Sequence, residues 1–165
     1  MKHWIHIALL LSVFSTTQAQ LKVSDKCGTI TIDILDGKIN GMRPNRGHEE
    51  FLEKLPCFTS AVSEKDSSTC GGLIAFKDKD FTIYTTRDYI EIGPAFKGKL
   101  TVPLLGAKKG SLFNTLGNPK LKDANWEAYQ TNYGLLILYY SKNNTVNKIQ
   151  FSTKSADTIE LCGQK

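Results

Sequence analysis

Few residues in this chain could do chemistry: Cys27, Cys57, Cys70 and Cys162, His48, and carboxylates such as Asp78 and Asp80. A Ser-His-Asp or Cys-His arrangement would have to use His48, because His3 and His6 lie in a segment expected to be removed. His48 opens a predicted helix beside Glu49 and Glu50, so it reads as a solvated first-turn residue rather than a general base. Asp78 and Asp80 flank Lys79 and read as turn chemistry. Paired carboxylates for glycoside hydrolysis stay open. No Gly-x-Gly-x-x-Gly or P-loop pattern occurs, and Gly71-Gly72 is a tight turn into a strand. Asn143-Asn144-Thr145 fits the N-glycosylation pattern but reads here as a polar turn between two strands. No credible catalytic site emerges, and the expectation is a protein that is not an enzyme and uses no cofactor.

The cysteines point to structure. A zinc site needs clustered ligands, typically Cys-x-x-Cys pairs or nearby histidines, and neither is present. An even count behind an export signal reads as two disulfides. Three connectivities are possible. Cys57 follows a predicted helix and Cys70 precedes a predicted strand, so a Cys57–Cys70 bridge would clamp that connection. Cys27–Cys162 would then tie the two ends of the mature chain together. Chain entropy gives about 3 kcal/mol for the short loop and nearer 5 for the long one.

The export signal is the N-terminal segment. Lys2 and His3 make a short polar start, Ile5 to Phe14 is apolar, and Thr17 and Ala19 put small residues at −3 and −1. The apolar run is too short to span a bilayer, which takes roughly 20 residues. Residues 1–19 are therefore expected to be a signal peptide cleaved after Ala19, and no cysteine at that point would carry a lipid. Removing them takes one lysine, Lys2, from 21 basic residues; 20 against 16 acidic leaves a net charge of +4. The remaining lysines are scattered beside turns, not gathered into the basic, aromatic-laced stripe that a nucleic acid would need. No later segment is apolar enough for stable membrane insertion.

The elements that must position these residues follow from pattern. Thr29 to Leu35 is rich in β-branched residues, and Asp36-Gly37 turns it back toward Ile39, a hairpin. His48 to Leu55 is a short helix with Phe51, Leu52 and Leu55 on its apolar face, Glu49 and Glu50 in its first turn, and Pro56 to end it. Thr59 to Thr69 is a polar loop. Gly72–Phe76, Phe81–Tyr84 and Tyr89–Ile92 are three strands. A second helix follows, with Leu112, Phe113 and Leu116 on one face and Gly117 and Pro119 to stop it. Trp126–Tyr129, Leu135–Tyr140 and Val146–Phe151 make a second meander.

The two series suggest an internal repeat. Phe51, Leu52 and Leu55 match Leu112, Phe113 and Leu116, and Gly72–Phe76 matches Gly134–Leu138. Leu100-Thr101-Val102 holds the place ahead of the second helix that Ile39 holds ahead of the first. Each half is too small for a good core alone. The expected fold is α+β: two tandem helix/β-meander repeats, residues 28–95 and 99–162, forming one continuous antiparallel sheet with short helices on one face.

Leu135 to Tyr140 has no polar alternation, so it is apolar on both faces. Two short helices can cover only one of them. Trp126, Tyr129, Tyr133 and Tyr140 are the residues expected on the open face, as partner-binding aromatics. Phe76, Phe81, Ile149 and Phe151 are expected in the core. Further chain lying over the open face would overturn this scheme.

A helix, a cysteine-clamped loop and a β-meander, repeated in an exported chain, resemble the β-lactamase inhibitory protein-like fold. Lys109–Pro119 is also similar to the Gly-small … Leu-Gly-x-Pro opening of small outer-membrane assembly lipoproteins. The first resemblance implies a periplasmic or secreted protein that occludes a protein partner, as an inhibitor of an envelope enzyme or an immunity protein against a toxin. The second implies a structural envelope-maintenance role, although the lipid-bearing cysteine of those proteins is missing. The inhibitor fold also implies a bridge within each half, a pattern that only Cys57 and Cys70 would fit.

Overall fold

A computed structural model describes residues 27–66 and 70–162. The proposed signal peptide lies outside the described residues. The fold is α+β, and its backbone is an eight-stranded antiparallel sheet made by the two meanders. The first meander contributes β3 (Ser60–Ala61), β4 (Leu73–Phe76), β5 (Phe81–Tyr84) and β6 (Tyr89–Ile92). The second contributes β8 (Leu121–Lys122), β9 (Trp126–Gln130), β10 (Leu135–Tyr140) and β11 (Val146–Ser152). Their order in the sheet is β3-β4-β5-β6-β11-β10-β9-β8.

That order is palindromic. Each half begins at an outer edge with a two-residue strand and ends at the centre with β6 or β11. The two final strands pair antiparallel, with Ile90 opposite Phe151 and Ile92 opposite Ile149. Element order therefore equates β4 with β9. The match of Gly72–Phe76 with Gly134–Leu138 is corrected, because the latter belongs to β10, the counterpart of β5.

One face of the sheet packs on a layer built by the hairpin and helices. β1 (Thr31–Asp33) and β2 (Lys38–Ile39) form the expected hairpin, and β7 (Lys99–Leu100) pairs in parallel on the other side of β1. Alternation points Ile30, Ile32 and Ile34 inward, and all are essentially inaccessible. Helix α1 (His48–Lys54) adds Phe51 and Leu55 to the same cluster, carries Glu49 and Glu50 in its first turn, and gives way at Leu55-Pro56. Phe76, Phe81, Ile149 and Phe151 all lie in this core. Helix α2 (Phe113–Leu116) is a single turn ended by Gly117 at φ +73. Leu112 and Leu116 face the core, but Phe113 points outward, so only part of its expected apolar face is buried.

The disulfides differ from the expected pairing. Cys27 bonds Cys57 and Cys70 bonds Cys162, so the Cys57–Cys70 clamp and the Cys27–Cys162 tie are both corrected. Cys57 sits beneath the core layer, 4% exposed, where the first described residue reaches it. Cys70 instead meets the chain's other end, which folds back over the sheet. Both bridges span long loops, 30 and 92 residues apart in sequence. Each contributes on the order of 4 kcal/mol by loop-closure entropy.

Tyr133 locks the hairpin onto the sheet. Its ring meets Phe151 edge-on at 6.3 Å and lies flat under Gly37, where an added Cβ would stand 2.4 Å from a ring carbon. Gly37 also has φ +63, which disfavours any other L-residue. Gly37→Ala should therefore lower the unfolding free energy by about 2 kcal/mol or more, from backbone strain plus overpacking. The Tyr133 hydroxyl is buried with no hydrogen-bond partner among the described residues. Tyr133→Phe should leave stability unchanged or raise it by up to about 1 kcal/mol, since it removes an unsatisfied polar group. Denaturant midpoints of the two variants check both expectations.

Candidate functional site

Strand parity decides which side chains reach the open face. In β10, Leu136, Leu138 and Tyr140 turn to the core, and Leu135, Ile137 and Tyr139 to the opposite face. Tyr129 lies opposite Leu136 and so also faces the core. The expected exposure of Tyr129, Tyr133 and Tyr140 is thus corrected: all three are buried, at 4%, 6% and 6%. Trp126 is on the open face and half-buried. Tyr139 takes the place that had been expected for Tyr140.

Tyr129 and Tyr140 spend their hydroxyls internally. Both donate to Glu127 Oε2, at 2.7 and 2.5 Å. Lys109 Nζ closes this site, 4.0 Å from Glu127 Oε1 and 5.0 Å above the Tyr140 ring, and donates to the carbonyls of Asp123 and Ala124. Burial, and then the Glu127 carboxylate, push the Tyr129 phenol up to about 12, and the same causes raise Tyr140.

The open face carries a second polar network. The Tyr139 hydroxyl donates to Gln150 Oε1 at 2.7 Å, and Gln150 Nε2 donates to Glu91 Oε2 at 2.6 Å. Lys148 Nζ lies 3.4 Å from the same carboxylate oxygen and 4.2 Å from the centre of the Tyr139 ring. The four side chains form a closed circuit across β6, β11 and β10, which fixes the Tyr139 ring by hydrogen bonding and cation–π contact. Beside it, Tyr84 and Tyr89 stack with centroids 4.3 Å apart. Burial raises both phenols, and the Glu91 carboxylate adds to the effect.

Further chain covers part of this face, contrary to the broad uncovered surface expected. After β11, residues 153–162 form a strap that turns at Ser155–Thr158 and lays Ala156, Ile159 and Leu161 against the sheet. They make a second apolar cluster with Tyr89, Ala128, Leu135 and Ile137. Between strap and sheet runs a groove of about 220 Å³, walled by Leu121, Trp126, Ile137, Tyr139 and the strap side chains. On the other half of the face, Thr82, Glu91 and Lys148 are half-buried, and Tyr84 packs at the edge of the cluster that the strap joins.

Compared with protein-family models, with curated proteins and with solved structures, the chain finds no match in any of the three.

The remaining candidates have structural placements. His48 is 7% exposed, not solvated, because Thr85 from the turn after β5 packs against the start of α1. Its Nδ1 stands 3.5 Å from Thr85 Oγ1. The Thr85 hydroxyl proton is shared between Glu64 Oε1 at 2.7 Å and Gly72 O at 3.0 Å, which holds the β3–β4 connection to the turn. Asp78 pairs with Lys79, and Asp80 accepts a hydrogen bond from the Ala95 amide, both in turn roles. Asn143 and Asn144 occupy the exposed β10–β11 turn, with Asn144 at φ +55. Among the described residues, no three His, Cys, Asp or Glu side chains gather as a metal site. Nor is any helix there long and apolar enough to cross a membrane.

The phenol shifts have a defined pH signature. A tyrosine with a raised pKa in the folded chain resists ionisation there. Its contribution to stability is complete below the ordinary phenol value of about 10 and is lost as pH rises through the folded value. Unfolding free energy should therefore start to fall near pH 10 and keep falling to about 12, the Tyr129 value. Tyr129→Phe should make that fall shallower. Urea unfolding measured across this range checks it.

Proposed function

We propose that this protein is an exported, non-catalytic binding module that occludes a partner protein with the part of its sheet's open face that the strap leaves uncovered. An envelope enzyme to be inhibited, or a delivered toxin to be neutralised, is the class of partner in view. The observation that carries the reading is a set of rings held in place before any encounter. Tyr139 is fixed by Gln150 and Lys148, Tyr84 by stacking on Tyr89, and Trp126 by the apolar cluster at the groove. Aromatic rings dominate protein-binding hot spots, and rings already ordered lose little entropy on docking. The polar circuit around Tyr139 adds charge of both signs at the centre of the face, which favours one partner orientation.

The compartment supports the same reading. Two disulfides suit an oxidising environment, and the signal-like N-terminus would deliver the chain to the periplasm or beyond. The resemblance to the inhibitor-like fold rests on the element order read from the sequence, and it bears on the target only by analogy.

The test uses the purified full chain to capture a stoichiometric partner from envelope extract. Trp126→Ala and Tyr139→Ala are each expected to weaken capture at least tenfold. Phe113→Ala, exposed on helix α2 away from this face, should have no effect. Equal capture by all three variants would overturn the reading.

A further inference from the structure

We propose that the C-terminal strap is a thiol-released cover: opening the Cys70–Cys162 bridge frees residues 153–162 and exposes the apolar half of the open face. The inference rests on the reading of that face as a docking surface, because release would enlarge the surface offered to a partner.

The strap is poorly tied except by its bridge. It forms no strand ladder with the sheet. Among the described residues, the Cys162 amide donates to the Tyr89 hydroxyl at 3.0 Å, the Thr153 amide to Asp88 O at 3.4 Å, and Arg87 Nη1 to Glu160 O at 3.3 Å, with the Glu160 carboxylate 3.5 Å away. Near its start, Lys154 pairs with Asp88 at 3.5 Å. Leu161 is nine-tenths buried, and Ile159 and Ala156 are half-buried against the same cluster. Segments with few buried contacts and few backbone bonds open most readily, so the covalent tie at Cys162 governs closure.

Three of the four cysteines, Cys27, Cys70 and Cys162, are partly buried, and Cys57 is buried at 4%. A dithiol acting by thiol–disulfide exchange reaches Cys70–Cys162 through either of its sulfurs. In that exchange the S–S bond breaks, and its two sulfurs gain two electrons and two protons. The dithiol supplies both and leaves as its own disulfide. Beneath the strap lie Leu135 and Ile137, beside Trp126 at the groove wall. Release converts these from core to surface and joins them to the ring set already exposed.

The experiment uses the folded exported chain starting at Gln20, in which Trp126 is the only indole, with dithiothreitol as the reductant. Opening of Cys70–Cys162 should shift Trp126 emission to longer wavelength. The amide at position 162 should exchange at least a hundredfold faster, with the amides of Ile137 and Ile149 still protected. Cys162→Ser should reproduce this without reductant, and Cys27→Ser with Cys57→Ser should not. A chain ending at Ser155 with Cys70→Ser gives the emission of the uncovered face directly. An amide at 162 that stays protected with the bridge open overturns the cover. Loss of sheet protection together with the strap overturns it as well, since the bridge would then hold the fold. Strap release alongside partner capture indifferent to Trp126→Ala and Tyr139→Ala would overturn the docking reading and leave the cover standing.

Discussion

The pairing of β6 with β11 is the constraint on which the molecule depends. Each meander ends at this seam, and four residue pairs join them: Ile92 with Ile149, Glu91 with Gln150, Ile90 with Phe151, and Tyr89 with Ser152. Alternate pairs serve opposite faces. Ile90, Ile92, Ile149 and Phe151 continue the core from one half into the other, and Glu91 with Gln150 continues the polar circuit on the opposite face. A slip of one residue would send the isoleucines to the open face and a carboxylate into the core. Register at the seam is thus fixed by burial, and with it the position of every side chain on both faces. Joining the halves at this seam makes one core from the apolar side chains of both.

The two faces are covered by different means. On the core side, three short strands and α1 form a full layer whose isoleucines at positions 30, 32, 34 and 39 are inaccessible. On the other side, among the described residues, a ten-residue strap lies over part of the sheet. Each disulfide fastens one end of the described chain to a face: Cys27 joins the core layer through Cys57, and Cys162 joins the sheet's far half through Cys70. A face left half open tolerates polar residues only where they satisfy one another. The Tyr139, Gln150, Glu91 and Lys148 circuit meets that demand while holding an aromatic ring outward.

Glu127 shows the opposite solution to a buried charge. It lies on the core side of an outer strand, where two phenols and a lysine surround it. The hydroxyls that make Tyr129 and Tyr140 look like surface residues are consumed there. The apolar bodies of the same rings complete the core, so an aromatic with a polar tip can be interior when a carboxylate is available to it.

How much of this was legible in the sequence depends on the range of the interaction. Local pattern determined the hairpin, the six longer strands of the meanders, both short helices and their order, because alternation, β-branching, turn residues and helix stops act within a few positions. The two-residue edge strands were missed: β3 lies in the stretch read as the polar loop Thr59–Thr69, and β8 carries no alternation of its own. Two-sided hydrophobicity in Leu135–Tyr140 likewise announced a sheet with apolar residues on both faces. Which tyrosine faced outward was decided only by tertiary structure. Parity along a strand divides Tyr139 from Tyr140, but the absolute direction follows from pairing with β9 and β11. The alternation of Lys148, Ile149, Gln150 and Phe151 held the needed signal, yet it becomes usable only once Tyr139 is known to lie opposite Lys148. The cysteine pairing was undetermined for the same reason. Proximity along the chain favoured Cys57 with Cys70, whereas the folded-back C-terminus brings Cys162 to Cys70 and leaves Cys57 to the start of the hairpin. Sequence states what each short stretch prefers; contacts between distant stretches settle which face, which partner and what lies on top, because those are fixed by burial summed over the whole sheet.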